Sequence, residues 1–178
     1  MAIISIIEKL ESLSLEKSGF KWETLRICEL GSQYYYPNSE LSINSNTRQS
    51  AKSVYLSRNV IKHVSIDLNG EYDSLVLDLD NPVPEYLLGD FNWVTNYGTV
   101  EHVNNQYMVF KNIHDLCCIG GIMLHALVPP GHWVGHGRYH HSIEFINKLA
   151  QCCRYSILLL EKTKYYDNPK KKRAICNI

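Results

Sequence analysis

The sequence predicts an α/β fold: a doubly wound, mostly parallel sheet with helices on both faces and a C-terminal antiparallel hairpin strand. Three observations predict it. Short apolar runs alternate with stretches of helical period, the pattern of a parallel sheet covered on both sides. Three of those runs end in an acid beside a turn: Glu29 before Leu30-Gly31, Asp67 before Asn69-Gly70, and Asp78 before Asn81-Pro82. Near the end, Asp167-Asn168-Pro169 marks a turn between a sixth apolar run and a short last one.

The elements follow in order. Ile3, Ile4, Ile6, Ile7, Leu10 and Leu13 recur at helical spacing and predict an amphipathic helix over residues 2–15 that covers the sheet. Residues 24–30 read as the first strand, and the polar, Pro37-containing stretch 34–46 as a loop. Thr47 is placed to cap a helix running to about Arg58. Residues 62–68 form the second strand and 75–77 lead the third, with 91–96 as the fourth. Val103, Tyr107, Phe110 and Leu116 predict a helix over 103–117, broken by Gly120-Gly121, with the fifth strand at 122–127. Residues 129–141 are a loop rich in glycine, histidine and aromatic rings, and Ser142 caps a helix to about Cys153. Residues 155–160 and 173–178 supply the closing hairpin.

Composition narrows the partners. A chain of 178 residues is expected to be one domain, 1–178, with residues 1–20 as an N-terminal helix and lead-in. Lys+Arg and Asp+Glu are equal at 18 each, so no overall field draws the chain to nucleic acid or membrane. No basic, aromatic-interleaved stripe supports a nucleic-acid partner, and no apolar run reaches the length of a membrane span. The first residues lack the basic start of a signal peptide. Six cysteines without C-x-x-C spacing read as reduced, buried thiols, and the expected location is the cytoplasm. Carboxylates at two strand ends, Glu29 and Asp67, suit the amino and hydroxyl groups of a nucleoside and repel a pyrophosphate.

The order of these signals resembles the class I S-adenosylmethionine-dependent methyltransferases, a Rossmann-like family, over roughly residues 24–178. Glu29-Leu30-Gly31 resembles the family's first motif, and Asp67 the acid that binds the ribose hydroxyls. Asp78-Leu79-Asp80 resembles the segment beside the adenine, and the stretch from Val94 to Val103 resembles motif four. Gly120-Gly121 before strand five and the final hairpin are also similar to the family's pattern. The chain departs from it in the first loop. Only Gly31 remains of the usual glycines, and Asp67 follows it by 36 residues rather than about 20.

The resemblance implies S-adenosyl-L-methionine as cofactor, contacted by Glu29, Gly31, Gln33, Asp67, Asp78, Leu79, Asn96 and Tyr97. It implies methyl transfer to a small polar acceptor, a sugar or metabolite hydroxyl or amine. That displacement needs alignment and, for such an acceptor, a base. Glu101, His102 and His136 are the catalytic candidates, and His132, Trp133, Arg138 and Tyr139 the acceptor-binding ones. With two or three ligands and no second carboxylate, no metal is expected. Two other readings stand beside this one. A methyltransferase-like binding domain without catalysis would account for the eroded glycine loop. An NAD-dependent oxidoreductase is disfavoured because the G-x-G-x-x-G turn is missing.

Overall fold

A computed structural model describes residues 2–3, 5–35, 49–131, 135–164 and 172–177. In chain order these form β1 (Ala2–Ile3), α1 (Ser5–Ser18), β2 (Arg26–Leu30), β3 (Tyr34–Tyr35), β4 (Gln49–Ser50), α2 (Ala51–Ser57) and β5 (Lys62–Ile66). There follow β6 (Phe91–Tyr97), α3 (Gln106–Leu116), β7 (Cys117–Leu127), α4 (Ile143–Cys153), β8 (Leu159–Lys164) and β9 (Lys172–Asn177). The main sheet has the order β5-β2-β6-β7-β9-β8. Its first four strands are parallel, and β9 runs antiparallel between β7 and β8. The small strands β1, β3 and β4 make a separate sheet.

Alternation along the strands sends side chains to two cores. Cys28, Leu30, Ile66, Val94 and Met123 pack with Val109 and Ile113 of α3 and Ile146 and Ala150 of α4. Ile27, Trp93, Tyr97, Leu124 and Ala126 pack on the opposite face with Ile7 and Leu10 of α1 and Tyr55 of α2. The second core holds a charged pocket. Glu11 of α1 is buried and accepts from the Tyr55 hydroxyl, from the Tyr97 hydroxyl at 3.1 Å and from Arg58 at 3.4 Å. Burial nevertheless raises the Glu11 carboxyl above its ordinary range.

Several sequence expectations change in detail: of the cysteines, Cys28 is buried, but Cys152 and Cys153 at the end of α4 are exposed. α1 runs from Ser5 to Ser18, three residues later than predicted, because Ala2–Ile3 pair with Tyr34–Tyr35. Thr47 lies outside the described residues. The cap of α2 is Ser50, whose hydroxyl accepts from the Ser53 amide at 3.1 Å. Ser142 caps α4 as expected, accepting from Phe145 N at 3.1 Å, and Asn105 does the same for α3. The expected third strand shrinks to one bridge, Ile66 with Leu75. Leu75 and Leu77 pack on the core, but Val76 faces solvent, and among the described residues no outer strand pairs with this segment. Gly120-Gly121 do not separate α3 from the fifth predicted strand. β7 begins at Cys117 and carries both glycines through a register shift opposite Phe91 and Trp93. A Cβ at Gly121 would stand 2.7 Å from Cys117 Sγ and 3.1 Å from Asn92 Cα, so the bulge needs that glycine.

Candidate active site

A cavity of about 560 Å³ opens at the carboxyl ends of β2, β5 and β6. Ligands collect at this edge of a doubly wound sheet. The chain turns out of β2 at Gly31, whose φ is +84°. Its amide donates to Ile66 O at 2.8 Å, tying the turn to β5. A Cβ here would meet Thr99 Oγ1 at 2.6 Å and Gln33 Nε2 at 2.7 Å. Thr99 donates to Leu30 O at 2.7 Å. The glycine is thus required first by the close approach of its own chain, while its backbone still lines the cavity.

Asp67 and Gln33 form the polar wall beside it. Asp67 Oδ2 accepts from the Ser32 amide at 2.7 Å and Oδ1 from the Asn69 amide at 3.1 Å. Each oxygen keeps a second lone pair. Gln33 is buried, and its Oε1 has no hydrogen-bond partner among the described residues. The next wall is Leu77, Asp78 and Leu79, with Ile66 and Leu68 adding apolar surface. Asp78 accepts from Asp80 N at 3.0 Å, which folds this segment into a turn. Asp80 in turn holds the Asn105 amide at 2.6 Å and the Asn104 side chain at 2.9 Å. These bonds, with Arg138 nearby, keep the Asp80 carboxyl below its ordinary value.

The third wall is the turn after β6, from Gly98 to Asn104, together with Arg138. Asn96 is buried beneath it. Its Oδ1 accepts from the Thr99 and Val100 amides, both at 3.2 Å, and its Nδ2 faces His125 Nδ1 at 3.1 Å. This fixes the short helical turn Val100–His102 and so aims Glu101 and His102. The backbone oxygen of Glu101 accepts from Arg138 N at 2.7 Å and Tyr139 N at 3.2 Å, pulling the loop after β7 against it. Gly137 permits the contact, since a Cβ there would lie 2.8 Å from Glu101 Cγ. His136 Nε2 consequently stands 3.7 Å from Glu101 Oε1, and its ring meets that of His102 edge-on at 5.0 Å. Burial lowers the His102 pKa, with smaller contributions from nearby positive charge including Arg138, and favours the neutral imidazole.

The sequence-predicted residues divide accordingly. Gly31, Gln33, Asp67, Asp78, Leu79, His102 and Arg138 meet on one cavity. Glu101 and His136 stand directly behind His102. Tyr139 is partly exposed and donates to Asn104 O at 3.0 Å, outside the wall. His132 and Trp133 lie outside the described residues. Three expected cofactor contacts are not in the wall. Asn96 is a buried support. Tyr97 points to the opposite core, because neighbouring strand residues alternate. Glu29 faces the same way as Tyr97 and pairs with His63, which stacks on Tyr55. Burial raises the Glu29 carboxyl, against the His63 bond and the Gln33 amide, which favour the charged form. His125 of β7 and His141 are buried, each with its ring against Phe110. Burial pushes them down to about 3 and about 4. Thr99 and Val103, within the stretch that resembles motif four, were not singled out as site residues, and Asn104 had only its place in the turn after a strand as a signal.

No family model and no curated protein matches the sequence. Solved structures do match. A 1,6-didemethyltoxoflavin-N1-methyltransferase from Burkholderia thailandensis, crystallised with S-adenosylhomocysteine, superposes with a TM-score of 0.62 at 8% identity, covering 96% of this chain and 79% of that one. An S-adenosylmethionine-dependent methyltransferase from Mesorhizobium loti gives 0.59 at 11%, covering 95% and 96%. This chain has the fold of the class I methyltransferases. The same fold carries other chemistry: the [4+2]-cyclase SpnF matches with a TM-score of 0.63 at 12% identity, covering 96% of this chain and 79% of that one.

Proposed function

We propose that the cavity binds S-adenosyl-L-methionine and that the protein transfers a methyl group to a small polar acceptor, a hydroxyl or an amine. The observation that carries this is the joining of Asp67, the Asp78-Leu79 turn and the unpartnered Gln33 oxygen on one cavity whose far wall is His102. The residues fit the group. Asp67 has lone pairs left for two ribose hydroxyls. Leu68 and Leu79 offer apolar faces to a purine, and Asp78 an acceptor for its amine. Gln33 Oε1 accepts from the ammonium of the methionine end.

The cofactor, when bound, supplies a methyl group on a sulfonium whose departing sulfur is neutral, so the protein need not protonate a leaving group. What remains is alignment and removal of the acceptor's proton. Arg138 holds the acceptor against the third wall. His102, neutral near pH 7, takes the proton, with Glu101 and His136 keeping its ring in place.

A second reading, an adenosyl-binding domain without turnover, draws support from the two backbone amides already resting on the Asp67 carboxylate. Calorimetry with S-adenosylmethionine and with NAD, followed by incubation with polar acceptors, separates the possibilities. The expected result is binding of the first ligand only. Asp67→Ala should weaken that binding by roughly 1.5–3 kcal/mol through lost charge-assisted hydrogen bonds. Unchanged affinity in that variant removes Asp67 from the site. Binding without transfer to any acceptor favours the second reading.

A further inference from the structure

Glu101, His102 and His136 each offer one ligand atom, and these atoms all lie within 4.8 Å of one another. We propose that these three side chains bind a divalent first-row metal ion at the edge of the cavity. The sequence argues against a metal, since it offers two or three ligands and no second carboxylate, with His136 34 residues beyond His102. The fold supplies what the spacing did not show. Glu101 is wholly buried, so its carboxylate is held in place by its surroundings. The loop bearing His136 is clamped onto it by two hydrogen bonds to the Glu101 carbonyl, and the glycine at 137 admits the contact.

Metal–ligand bonds of about 2.1 Å at a tetrahedral centre separate their donor atoms by about 3.4 Å. The 3.7 Å between His136 Nε2 and Glu101 Oε1 is already close to that. Small rotations of the two imidazoles close the remainder. Two imidazoles and one carboxylate suit a mid-series divalent cation and leave coordination positions for water or substrate. Because His102 also lines the cavity, an ion here borders the space in which an acceptor would lie.

The role of such an ion rests on the proposed methyl transfer, although the site itself does not. An acceptor hydroxyl bound to the metal has a lowered pKa and releases its proton to water. The oxygen then forms its bond to the methyl carbon as the carbon–sulfur bond breaks, with that electron pair staying on sulfur. In this form His102 is a ligand, and water replaces it as proton acceptor.

The test is titration of tag-free, chelator-treated protein with Co²⁺ alone, read by visible absorption. One equivalent is expected to bind with the weak visible bands of a nitrogen–oxygen site. Binding should weaken at least tenfold in His102→Asn and in His136→Asn, with the far-ultraviolet circular dichroism unchanged. Glu101→Gln is a third variant, and the two histidine changes keep the test valid if that buried substitution does not fold. The proposal is overturned if wild type shows no such bands, if an intense thiolate band places the ion on cysteine, or if both histidine variants bind like wild type. Calorimetry with S-adenosylmethionine on the same chelated protein reads the other question separately. Cofactor binding without Co²⁺ binding removes the metal and leaves the proposed function. Co²⁺ binding without cofactor binding does the reverse.

Discussion

Gly31→Ala puts the turn between β2 and the cavity to a quantitative test. A side chain at φ +84° costs roughly 1–2 kcal/mol in the left-handed region. The new Cβ would also stand 2.6 Å from Thr99 Oγ1, and nothing shorter than a van der Waals contact is tolerable there. Thr99 must rotate, giving up its 2.7 Å bond to Leu30 O, worth about 1 kcal/mol. Gln33 yields more easily, since its own bond to Leu30 O is long at 3.4 Å. The variant should therefore lose about 2–4 kcal/mol in urea unfolding. Thr99→Ala alone should lose about 1 kcal/mol. Combined, the two should cost about 1 kcal/mol less than their sum, because the clash and the lost bond are the same event. Additivity within about 0.5 kcal/mol, or a Gly31→Ala variant as stable as wild type, refutes this account of the turn.

Two further outcomes follow from the cores. His141 is neutral when folded, with a pKa of about 4, against about 6.5 for a free imidazole. Its folded pKa is depressed, so its neutral form costs nothing above pH 6.5, and stability falls as the unfolded chain alone gains the proton below it. From pH 7 to pH 5 that loss is about 2 kcal/mol. Glu11 and Glu29, raised by burial, shift stability the opposite way. The comparison is therefore made against His141→Gln, whose stability relative to wild type should improve by about 2 kcal/mol over that range in urea unfolding. No change in the difference would mean that the imidazole is not held neutral. Tyr97→Phe removes a buried bond to Glu11 and should cost about 1–2 kcal/mol of stability. Its affinity for S-adenosylmethionine should match wild type, since the ring faces away from the cavity. A tenfold loss of affinity would place Tyr97 in the site after all.

Much of the main sheet was legible in the sequence because parallel strands buried on both faces read as apolar runs closed by turn residues. Asp67 and the Asp78-Leu79 turn were legible for the same reason: an acid at the end of such a run lies on the ligand edge. Glu29 was harder. Its place in the chain is that of a ligand-edge acid, but whether it faces the cavity depends on strand parity relative to α2. Only packing reveals that His63 and Tyr55 wait on its side. Tyr97 and Asn96 divide by the same parity. The convergence of His136 on Glu101, 35 positions away, depends on two backbone hydrogen bonds and a left-handed glycine, which no local pattern encodes. The strand expected at 75–77 shrinks to a bridge because its apolar alternation is satisfied by one face alone, with no outer neighbour among the described residues to extend the ladder.

A crystal structure of the protein grown with S-adenosylhomocysteine addresses the central claim most directly. The account predicts the ligand at the carboxyl ends of β2, β5 and β6, its ribose hydroxyls on Asp67, its purine against Leu79 and its amino group beside Gln33. A ligand seated elsewhere, or a cavity that stays filled by the Thr99 and Gln33 side chains at saturating ligand, would contradict it.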